Sequence, residues 1–529
     1  MEYPSLLWKS GLLQNRTLFL TDERGKTLPA EGAVAQNVLD DLLPEGAFGA
    51  GSAVYFRFPC GREEIPARQK LIWKLAHDEG FLKTAENLLE EVSQFDRLYH
   101  RWKAPELPKS QYALLFPSVA AAYLRLAEKF AGMLPEGADD GNKWGFAADV
   151  RDCFTGILAE EQVLGLRRAL DGFFRSRPGG VKLSIQGGSM TAFAAASGHT
   201  ETLRQIFSEM GIADAYPAPR VHRADDIVID AYGAVYPDVL EHAGRLVTEY
   251  GVYLEEELSM ADVLLYWQEM QFCREAALYT KRMEEMGYTL CLPQAAGERC
   301  IRLKDLRDVS LARREMRGEN VVPNDVQMAE GDGSHFFFVT GANGGGKTTY
   351  LRSLGIAVLF FLTGCPVAAR SGEIWPFARL CTHFPSAENF EDTGRFVDEV
   401  RRAEEIRKLA DKDTVALFNE TFSGTDEQKS EEYSRRLADD MYAYGTFGLY
   451  VTHIHTLTHG KIPTLAAVVD EEDENRRTYR IRRMDGTDSS FAEDILKKYR
   501  LTEEGLAERL ARMRAVRENL DDGGKGEGI

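Results

Sequence analysis

The residues with the clearest chemistry form one glycine-rich run that leads into Lys and Thr. The run reads Gly341, Ala342, Asn343, Gly344, Gly345, Gly346, Lys347, Thr348 and Thr349. From Gly341 to Thr348 it fits the pattern G-x-x-x-x-G-K-S/T at every required position. Glycines let successive backbone N–H groups converge on phosphate oxygens, and the dipole of a following helix adds to the attraction. The spacing therefore predicts a phosphate site in which Lys347 reaches the β- and γ-phosphates and the Thr348 hydroxyl binds Mg²⁺.

The residues on either side of this run have the order that a phosphate loop requires. An apolar segment typical of a strand, residues 335–340, precedes it, and a helical segment, residues 349–362, follows it. A glycine-rich loop that arose by chance is the alternative. The order of strand, loop, Lys-Thr and helix favours the phosphate site.

A second apolar strand, residues 414–418, ends in Asn419 and Glu420. P-loop ATPases usually place Asp at the first of these two positions, where it holds Mg²⁺. Asn419 can hydrogen-bond a metal-bound water but adds no charge, so we expect a weak metal site shared with Thr348. Glu420 is the candidate general base, which would polarise the attacking water.

A third strand, residues 448–452, is followed by His453, which we expect to sense the γ-phosphate. His455 and His459 follow closely, and the three histidines together permit a metal site as an alternative. No carboxylate or thiolate has a clear spacing to them as a fourth ligand. We therefore take His453 as the functional histidine and the other two as bystanders.

These strand ends need a sheet that brings them together. After about residue 290, short apolar strands alternate with helices, which is typical of an α/β fold with a parallel sheet. Residues 465–469 and 477–484 flank an acidic turn and predict a hairpin. Residues 501–520 predict a charged terminal helix, and the glycine-rich residues 521–529 predict a disordered tail.

Upstream of the sheet the sequence has helical periodicity. Apolar residues recur at steps of three and four over residues 81–102, 110–134, 145–174 and about 246–288. Pro178-Gly179-Gly180 interrupts this pattern and opens a compact segment with a strand at 181–185 and a helix near 201–210. Two helical arms separated by such an insert predict a lever. An ordinary helical bundle with one irregular loop is the alternative.

Composition and charge limit the class of protein. Hydrophobic residues make up 44% and charged residues 28% of the 529 residues, which predicts three to four globular units and argues against wholesale disorder. The 64 Lys and Arg residues against 83 Asp and Glu residues give a net charge of −19, which argues against indiscriminate coating of nucleic acid.

Seven Cys residues without a C-x-x-C pair indicate a reducing compartment. Without a membrane-length apolar run or a secretory signal, we expect a cytoplasmic protein with no membrane partner.

One local cluster departs from the acidic total. Between Val163 and Met190 a net of +4 arises from Asp171 and from the basic residues Arg167, Arg168, Arg175, Arg177 and Lys182. At the tip of a lever, Arg175, Arg177 and Lys182 would contact DNA phosphates without sequence preference. A solvated helix face is the alternative.

The glycine-rich run followed by Tyr350-Leu351-Arg352 resembles the MutS family of DNA mismatch-repair ATPases, part of the ABC-type ATPase superfamily. Four further blocks come in the family's order. They are Val322-Pro323-Asn324-Asp325-Val326, Asn419-Glu420-Thr421-Phe422-Ser423-Gly424-Thr425, Val451-Thr452-His453 and Phe491-Ala492-Glu493-Asp494-Ile495. The likeness is specific over about residues 321–510. It is weaker over about 65–290, where it rests on Arg68-Gln69 and the helical arms.

The resemblance implies an α/β P-loop ABC-type ATPase domain, preceded by a mostly α-helical core/lever domain with a short clamp-like insert. We accordingly divide the chain into a small mixed unit, a helical core/lever domain, its reduced clamp-like insert, and an ATPase domain with C-terminal dimerisation helices, at residues 1–60, 61–290, 179–226 and 291–520. The resemblance also implies ATP and Mg²⁺ as ligands, ADP as product, and a homodimer that forms through the nucleotide faces.

Four departures from the family pattern change what we expect of the chain. The family's N-terminal mismatch-reading domain, with its Phe-x-Glu wedge, has no counterpart in the sequence. Residues 393–399 lack the Ser-Thr pair of the family's signature, Val321 stands where an aromatic residue often stacks on adenine, and Asn419 replaces Asp. We therefore expect that ATP binding is retained and that hydrolysis is slow.

The residues leave three functional interpretations. The first is a MutS-like, nucleotide-switched dimer of the DNA mismatch repair and recombination class. It would grip DNA of non-standard structure without reading mismatches, and a repair or recombination protein would be a further partner. The second is a nucleotide-gated scaffold with little hydrolysis that acts on a protein partner, which Asn419 and the shortened signature favour. The third, a small-molecule kinase, is opposed by the helical arms and the lack of an acceptor-pocket motif.

Overall fold

The structure is a computed structural model. It describes residues 3–7, 38, 41–43, 48–49, 60–134, 146–176, 181–186, 189–194, 229–315, 321–384, 395–422, 426–469 and 477–484. The predicted helix near 201–210, the C-terminal dimerisation helices and the tail at 521–529 lie outside these residues, as does most of the predicted unit at 1–60. No helix in the described ranges is long and apolar enough to cross a membrane.

Helices make up the described part of the chain from residue 64 to residue 175. They are α1 (Glu64–His77), α2 (Glu79–Trp102), α3 (Lys109–Ala131), α4 (Ala147–Ala159) and α5 (Glu161–Arg175). The predicted apolar face of 81–102 is confirmed, since the buried residues of α2 run from Phe81 through Leu88 and Phe95 to Trp102. The Asp78 side chain caps α2 by accepting a hydrogen bond from the Phe81 N–H at 2.9 Å.

The segment after Pro178-Gly179-Gly180 contains two short strands, β1 (Val181–Gln186) and β2 (Ser189–Ala194), which pair antiparallel. The predicted strand at 181–185 is confirmed. The second strand was not predicted, because its sequence, Ser-Met-Thr-Ala-Phe-Ala, has few of the β-branched residues that favour strands. The clamp-like role of the insert stays a prediction.

The long helical stretch predicted at 246–288 is helical but not continuous. It consists of α6 (Pro237–Val252), a π-helical turn (Tyr253–Glu257), a 3₁₀ turn (Met260–Leu264) and α7 (Leu265–Glu285). Ser259, between the two turns, is left-handed with φ of 48°. Periodicity could not show this break, because Tyr253, Leu254 and Leu258 are buried in the same core as the flanking helices.

The second half of the chain alternates strands with helices, as the sequence predicts. In order these are β3 (Gln294–Ala295), β4 (Cys300–Leu306), α8 (Ala312–Glu315), β5 (Asn324–Ala329), β6 (Phe336–Gly341), α9 (Lys347–Leu362), β7 (Ser371–Ile374), β8 (Arg379–His383), α10 (Arg395–Leu409), β9 (Thr414–Asn419), α11 (Glu427–Ala443), β10 (Phe447–Val451), β11 (Thr464–Val469) and β12 (Arg477–Arg483).

A six-stranded sheet in the order β12-β11-β6-β10-β9-β8 forms the centre of this half. Five of its strands, β8, β9, β10, β6 and β11, are parallel, and the edge strand β12 pairs antiparallel with β11. The predicted strands at 335–340, 414–418 and 448–452 are therefore confirmed, and so is the hairpin. Since β6, β10 and β9 are parallel neighbours, the residues that follow them meet at one edge of the sheet.

A second, four-stranded sheet has the order β3-β7-β4-β5. Sequence analysis did not find its strands. In β4 the alternation of buried and exposed residues breaks where the pairing register with β5 shifts between Leu303 and Leu306, and Asp305 has φ of 52°. A strand with such a bulge does not show the period of two that identifies strands.

The N-terminal segment Tyr3–Leu7 is held by the helical half, and Arg68 connects it to the end of α9. In α7, Glu269 is 1% exposed and accepts hydrogen bonds from the Ser5 hydroxyl at 2.7 Å and the Leu6 N–H at 2.8 Å. Arg68 of α1 donates from Nε to the Leu7 carbonyl at 2.8 Å and from Nη1 to the Thr363 carbonyl, just after α9, at 3.4 Å.

The Tyr3 and Tyr123 hydroxyls are 2.7 Å apart, and the Tyr266 hydroxyl donates to the Pro4 carbonyl at 2.5 Å. Around these hydrogen bonds, one hydrophobic core extends from the helices to α9. For example, the ring centroids of Tyr279 in α7 and Phe360 in α9 are 5.6 Å apart.

Candidate nucleotide-binding site

The loop between β6 and α9 has a backbone that favours glycine. Gly341, Gly344 and Gly346 have φ of +123°, +72° and +95°, in the left-handed region that other residues rarely adopt. Gly345 is required for space, because a Cβ there would lie 2.9 Å from the Ala342 carbonyl oxygen and 3.0 Å from the Ala467 Cβ. The four glycines therefore shape a tight loop at the N-terminus of α9.

Lys347 is the first residue of α9 and is 4% exposed. Its Nζ donates hydrogen bonds to the carbonyl oxygens of Gly341 at 2.8 Å and of Ala342 at 3.3 Å, so the ammonium lies against the loop. Burial lowers the pKa of Lys347, and the nearby Glu420 carboxylate opposes that shift.

Thr348 and Asn419 meet where α9 begins and β9 ends. The Thr348 hydroxyl donates to Asn419 Oδ1 at 3.2 Å, and Asn419 is 8% exposed. A hydroxyl and an amide oxygen are ligands that fit Mg²⁺, which takes oxygen ligands and usually keeps several waters. The pair supplies no negative charge, and the weak metal site stays a prediction.

Glu420 and His453 also meet, across the ends of β9 and β10. His453 Nε2 lies 2.6 Å from Glu420 Oε1, and the Glu420 N–H donates to the Val451 carbonyl at 3.0 Å. Glu420 has φ of 49°, an uncommon conformation for a residue with a side chain. The alternative metal site at His453, His455 and His459 gains no support, since no group of three metal-binding side chains occurs in the part of the chain that the structure describes.

These residues line a cleft of about 740 Å³. Its lining includes Asn343–Ser353, apart from Leu351, together with Glu420 and His453. The lining also includes Val321, Val322, Asn324 and Tyr479. Tyr479 lies beside the loop, since a Cβ on Gly346 would be 3.6 Å from the Tyr479 Cδ1. The cleft therefore combines the polar groups of the loop with apolar and aromatic surface from Val321, Val322 and Tyr479.

Tyr479 and Asp308 line the cleft, and sequence analysis did not select either residue. Tyr479 is in β12, where Asn324 Nδ2 donates to its carbonyl at 2.9 Å and links the two sheets. Asp308 is 2% exposed, accepts from the Ser310 N–H at 2.9 Å, and has a pKa raised by burial. One hint of such a residue was present in the sequence, since Tyr479 is an aromatic residue within the arginine-rich segment Arg477–Arg483.

The residues predicted to contact DNA are described only in part. Arg175 is exposed at the last position of α5, and Lys182 is in β1. Arg177 lies outside the described residues. Arg167, which belongs to the same basic cluster, pairs with Glu128 at 2.5 Å, and this contact reduces the local positive charge.

The local arrangement is that of P-loop nucleotide-binding proteins. A strand of a parallel sheet leads into a loop whose glycines have positive φ, and the helix after the loop begins with Lys-Thr. Residues 337–488 match the family model described as MutS domain V. Over this region the chain is therefore similar to proteins of the MutS family.

Three relatives illustrate the similarity. The chain is 30% identical over 169 residues to an endonuclease MutS2 of Solidesulfovibrio magneticus, an alignment that covers 31% of this chain and 21% of the relative. It is 31% identical over 139 residues to the DNA mismatch repair protein MSH2 of Saccharomyces cerevisiae, covering 26% and 14%. It is 28% identical over 157 residues to a DNA mismatch repair protein MutS of Bacillus velezensis, covering 29% and 18%. The chain thus spans about a fifth or less of the length of these curated relatives.

Proposed function

We propose that the protein is an ATP-dependent nucleotide switch that acts on DNA in mismatch repair or recombination. The observation that carries this proposal is the meeting of Lys347, Thr348 and the Glu420–His453 pair around one glycine loop. ATP would place its phosphates on residues 341–349 and its base toward Val321, Val322 and Tyr479. Lys347 would exchange its bonds to the Gly341 and Ala342 carbonyls for bonds to the phosphates.

Hydrolysis would use the residues that follow β9 and β10. Water attacks the γ-phosphorus, the bond to the bridging oxygen breaks, and ADP and inorganic phosphate form. Glu420 would accept the proton of the attacking water, and His453 would hold Glu420 in place and respond to the γ-phosphate. Thr348 and Asn419 would hold Mg²⁺, which when bound would neutralise charge at the phosphates. Because Asn419 is uncharged, we propose a slow ATPase.

DNA binding and dimerisation belong to the same proposal. Two of the relatives are named DNA mismatch repair proteins and one an endonuclease, which supports DNA as the partner. We propose a homodimer in which ATP bridges the nucleotide faces, and helical arms that grip DNA of non-standard structure without reading mismatches. A repair or recombination protein would be a further partner.

A second candidate function is a nucleotide-gated scaffold that scarcely hydrolyses ATP and acts on a protein partner. The uncharged Asn419 at the metal position favours it. Phosphate release with and without branched and duplex DNA separates the two functions. DNA-stimulated release that is lost in Glu420→Gln supports the DNA switch. Tight ATP binding with negligible release, with or without DNA, supports the scaffold.

The DNA contact itself is tested by salt dependence. Replacing Arg175, Arg177 and Lys182 together by Ala should weaken binding to all sequences, because contacts to phosphates carry no sequence preference. On duplex DNA the slope of log affinity against log salt should flatten by up to about 2.7, at about 0.9 for each lost phosphate contact. Parallel lines for the parent and the triple variant would exclude these residues as DNA contacts, and ATP affinity serves as the control for folding.

A further inference from the structure

The turn that follows β9 has a strained backbone. Glu420 and Phe422 have φ of 49° and 66°, which side chains other than glycine rarely adopt and which cost about 1–3 kcal/mol each. Such a conformation persists only where surrounding contacts fix it. Since the turn carries the candidate general base, the contacts that fix it bear directly on hydrolysis.

His383, the last residue of β8, supplies one of these contacts. It is 1% exposed, its Nε2 lies 3.1 Å from the Glu399 carbonyl oxygen, and its Nδ1 lies 3.3 Å from the Thr421 hydroxyl. A carbonyl oxygen only accepts, so Nε2 carries the hydrogen in the neutral ring. Nδ1 is then the acceptor, and the Thr421 hydroxyl donates to it.

Aromatic packing holds the same turn from the other side. The Phe422 ring centroid lies 6.4 Å from that of His383, 6.3 Å from that of Phe396 and 5.6 Å from that of Tyr433. Phe396 is in α10 and Tyr433 is in α11, so the turn packs against both helices. These ring contacts fix Phe422, while His383 is hydrogen-bonded to Thr421, the residue next to Glu420.

His383 also connects this turn to helix α10. Glu399, whose carbonyl accepts from His383, is in α10, and Arg402 of the same helix donates to the Phe384 carbonyl at 3.2 Å. Burial, together with the Arg402 charge, lowers the pKa of His383 to about 4, so the ring stays neutral near pH 7. The imidazole is therefore a fixed bridge between α10 and the turn at neutral pH.

We propose that His383 is a positioning residue that sets Glu420 for ATP hydrolysis by bonding Thr421 on one side and α10 on the other. This inference rests on the proposed ATPase function. It assigns to α10 a direct mechanical link to the general base. A shift of α10 would pass through one imidazole ring to the backbone turn that carries Glu420.

Two pairs of variants test the bridge. His383→Asn keeps an acceptor at the place of Nδ1, whereas His383→Gln keeps a donor at the place of Nε2. Thr421→Ser keeps the hydroxyl, whereas Thr421→Val removes it at nearly equal volume. We expect His383→Gln and Thr421→Val to lower kcat about 5- to 10-fold, the loss of roughly one hydrogen bond. His383→Asn and Thr421→Ser should retain more activity than their counterparts.

A general loss of structure would not produce this pattern. The KM for ATP and the affinity for a fluorescent ATP analogue should stay within about twofold of the parent. The double variant His383→Gln/Thr421→Val should lose no more activity than Thr421→Val alone, because that variant already removes the bond to His383 together with a bond to Tyr450. Additive losses, a raised KM, or parent kcat values in both single variants would overturn the proposal. If His383→Gln does not fold, the comparison of Thr421→Val with Thr421→Ser still tests the proposal.

A second measurement does not depend on turnover. The imidazole nitrogens of ¹⁵N-histidine-labelled protein should show His383 with hydrogen on Nε2 and with a hydrogen-bonded Nδ1, whose resonance shifts in Thr421→Val. An unchanged Nδ1 resonance would overturn the bridge. A parent protein that releases no phosphate, with the resonance shift intact, would instead contradict the proposed ATPase function and leave the bridge as a structural joint.

Discussion

Lys347 is almost completely buried although it carries the charge that a phosphate would meet. Its ammonium is held by two backbone carbonyls of the loop rather than by a carboxylate. These neutral partners can be released when phosphate oxygens replace them, whereas a close ion pair would compete with the ligand. The residue is thus poised to bind anions, and its removal should affect binding more than folding.

Lys347→Ala should therefore weaken ATP binding by about 10- to 100-fold, because hydrogen bonds to charged groups contribute about 1.5–3 kcal/mol. Titration with a fluorescent ATP analogue measures the loss. Lys408→Ala, which removes an exposed lysine of α10, is the matched control and should bind ATP as the parent does. Unchanged affinity in a folded Lys347→Ala protein would remove the loop from the site.

Asn419→Asp should raise the apparent Mg²⁺ affinity about tenfold, or raise turnover, because it adds a negative charge next to the Thr348 hydroxyl. ATP binding measured against Mg²⁺ concentration checks this. In EDTA, which removes Mg²⁺, Asn419→Asp should instead weaken ATP binding, because the added charge then repels the phosphates. A variant that loses both Mg²⁺ affinity and activity would show that β9 does not carry the metal site.

At the scale of elements, α9 connects two regions. Its N-terminus follows the glycine loop of the candidate nucleotide site, and just beyond its C-terminus Gly364 packs against Arg68 of α1. Gly364 has φ of +77°, and a Cβ there would lie 2.4 Å from the Arg68 Cβ. The helix therefore runs from the candidate nucleotide site to the first helix of the helical half.

Gly364→Ala should destabilise the protein by about 2–5 kcal/mol, as backbone strain and overpacking add. Gly287→Ala is a matched control, because Gly287 has φ of +85° but nothing lies within 4 Å of its added Cβ. Gly287→Ala should lower the free energy of unfolding by about 1–2 kcal/mol. Urea unfolding of both variants isolates the packing against Arg68, and equal losses would contradict that contact.

The elements that the sequence predicted are those with an uninterrupted apolar pattern. The strand before the glycine loop and the strands that end at Asn419 and before His453 are continuous buried runs, and α2 has an unbroken apolar face, so all four have such a pattern. The bulged strand β4 and the break around Ser259 do not, and both were missed.

The candidate site shows the same limit. Lys347, Thr348, Glu420 and His453 belong to motifs whose spacing is set within one segment. Tyr479 reaches the cleft only because β12 closes the sheet, and His383 reaches Thr421 only because β8 pairs with β9. A single sequence contains no local signal for contacts of that kind.

At the scale of the molecule, stability should depend on pH through Glu269. Burial raises the pKa of this carboxyl from 4.5 to about 7 in the folded protein. The folded state therefore binds a proton that the unfolded state has released between these values. The stabilisation is fully present below pH 4.5 and is lost as pH rises through about 7, a change on the order of 3 kcal/mol.

Glu269→Gln should remove this dependence, because an amide does not titrate and can still bond the Leu6 N–H. Urea unfolding at several pH values between 5 and 8 provides the comparison. The stability difference between parent and variant should change steadily across this range. Glu285→Gln, at the exposed end of α7, is the control and should follow the parent. A constant difference between Glu269→Gln and the parent would show that Glu269 keeps one protonation state.

The segment Tyr3–Leu7 is held by partners that are far away in sequence. The hydroxyl of Tyr3, the carbonyls of Pro4 and Leu7, and the Ser5 and Leu6 donors all bond to residues of α1, α3 and α7. The segment is in effect a peptide ligand that the protein carries covalently attached. Since residues 3–7 themselves make each of these bonds, a peptide of this sequence should bind in trans with its own dissociation constant. The fold could then be divided at that point into a receptor and its ligand.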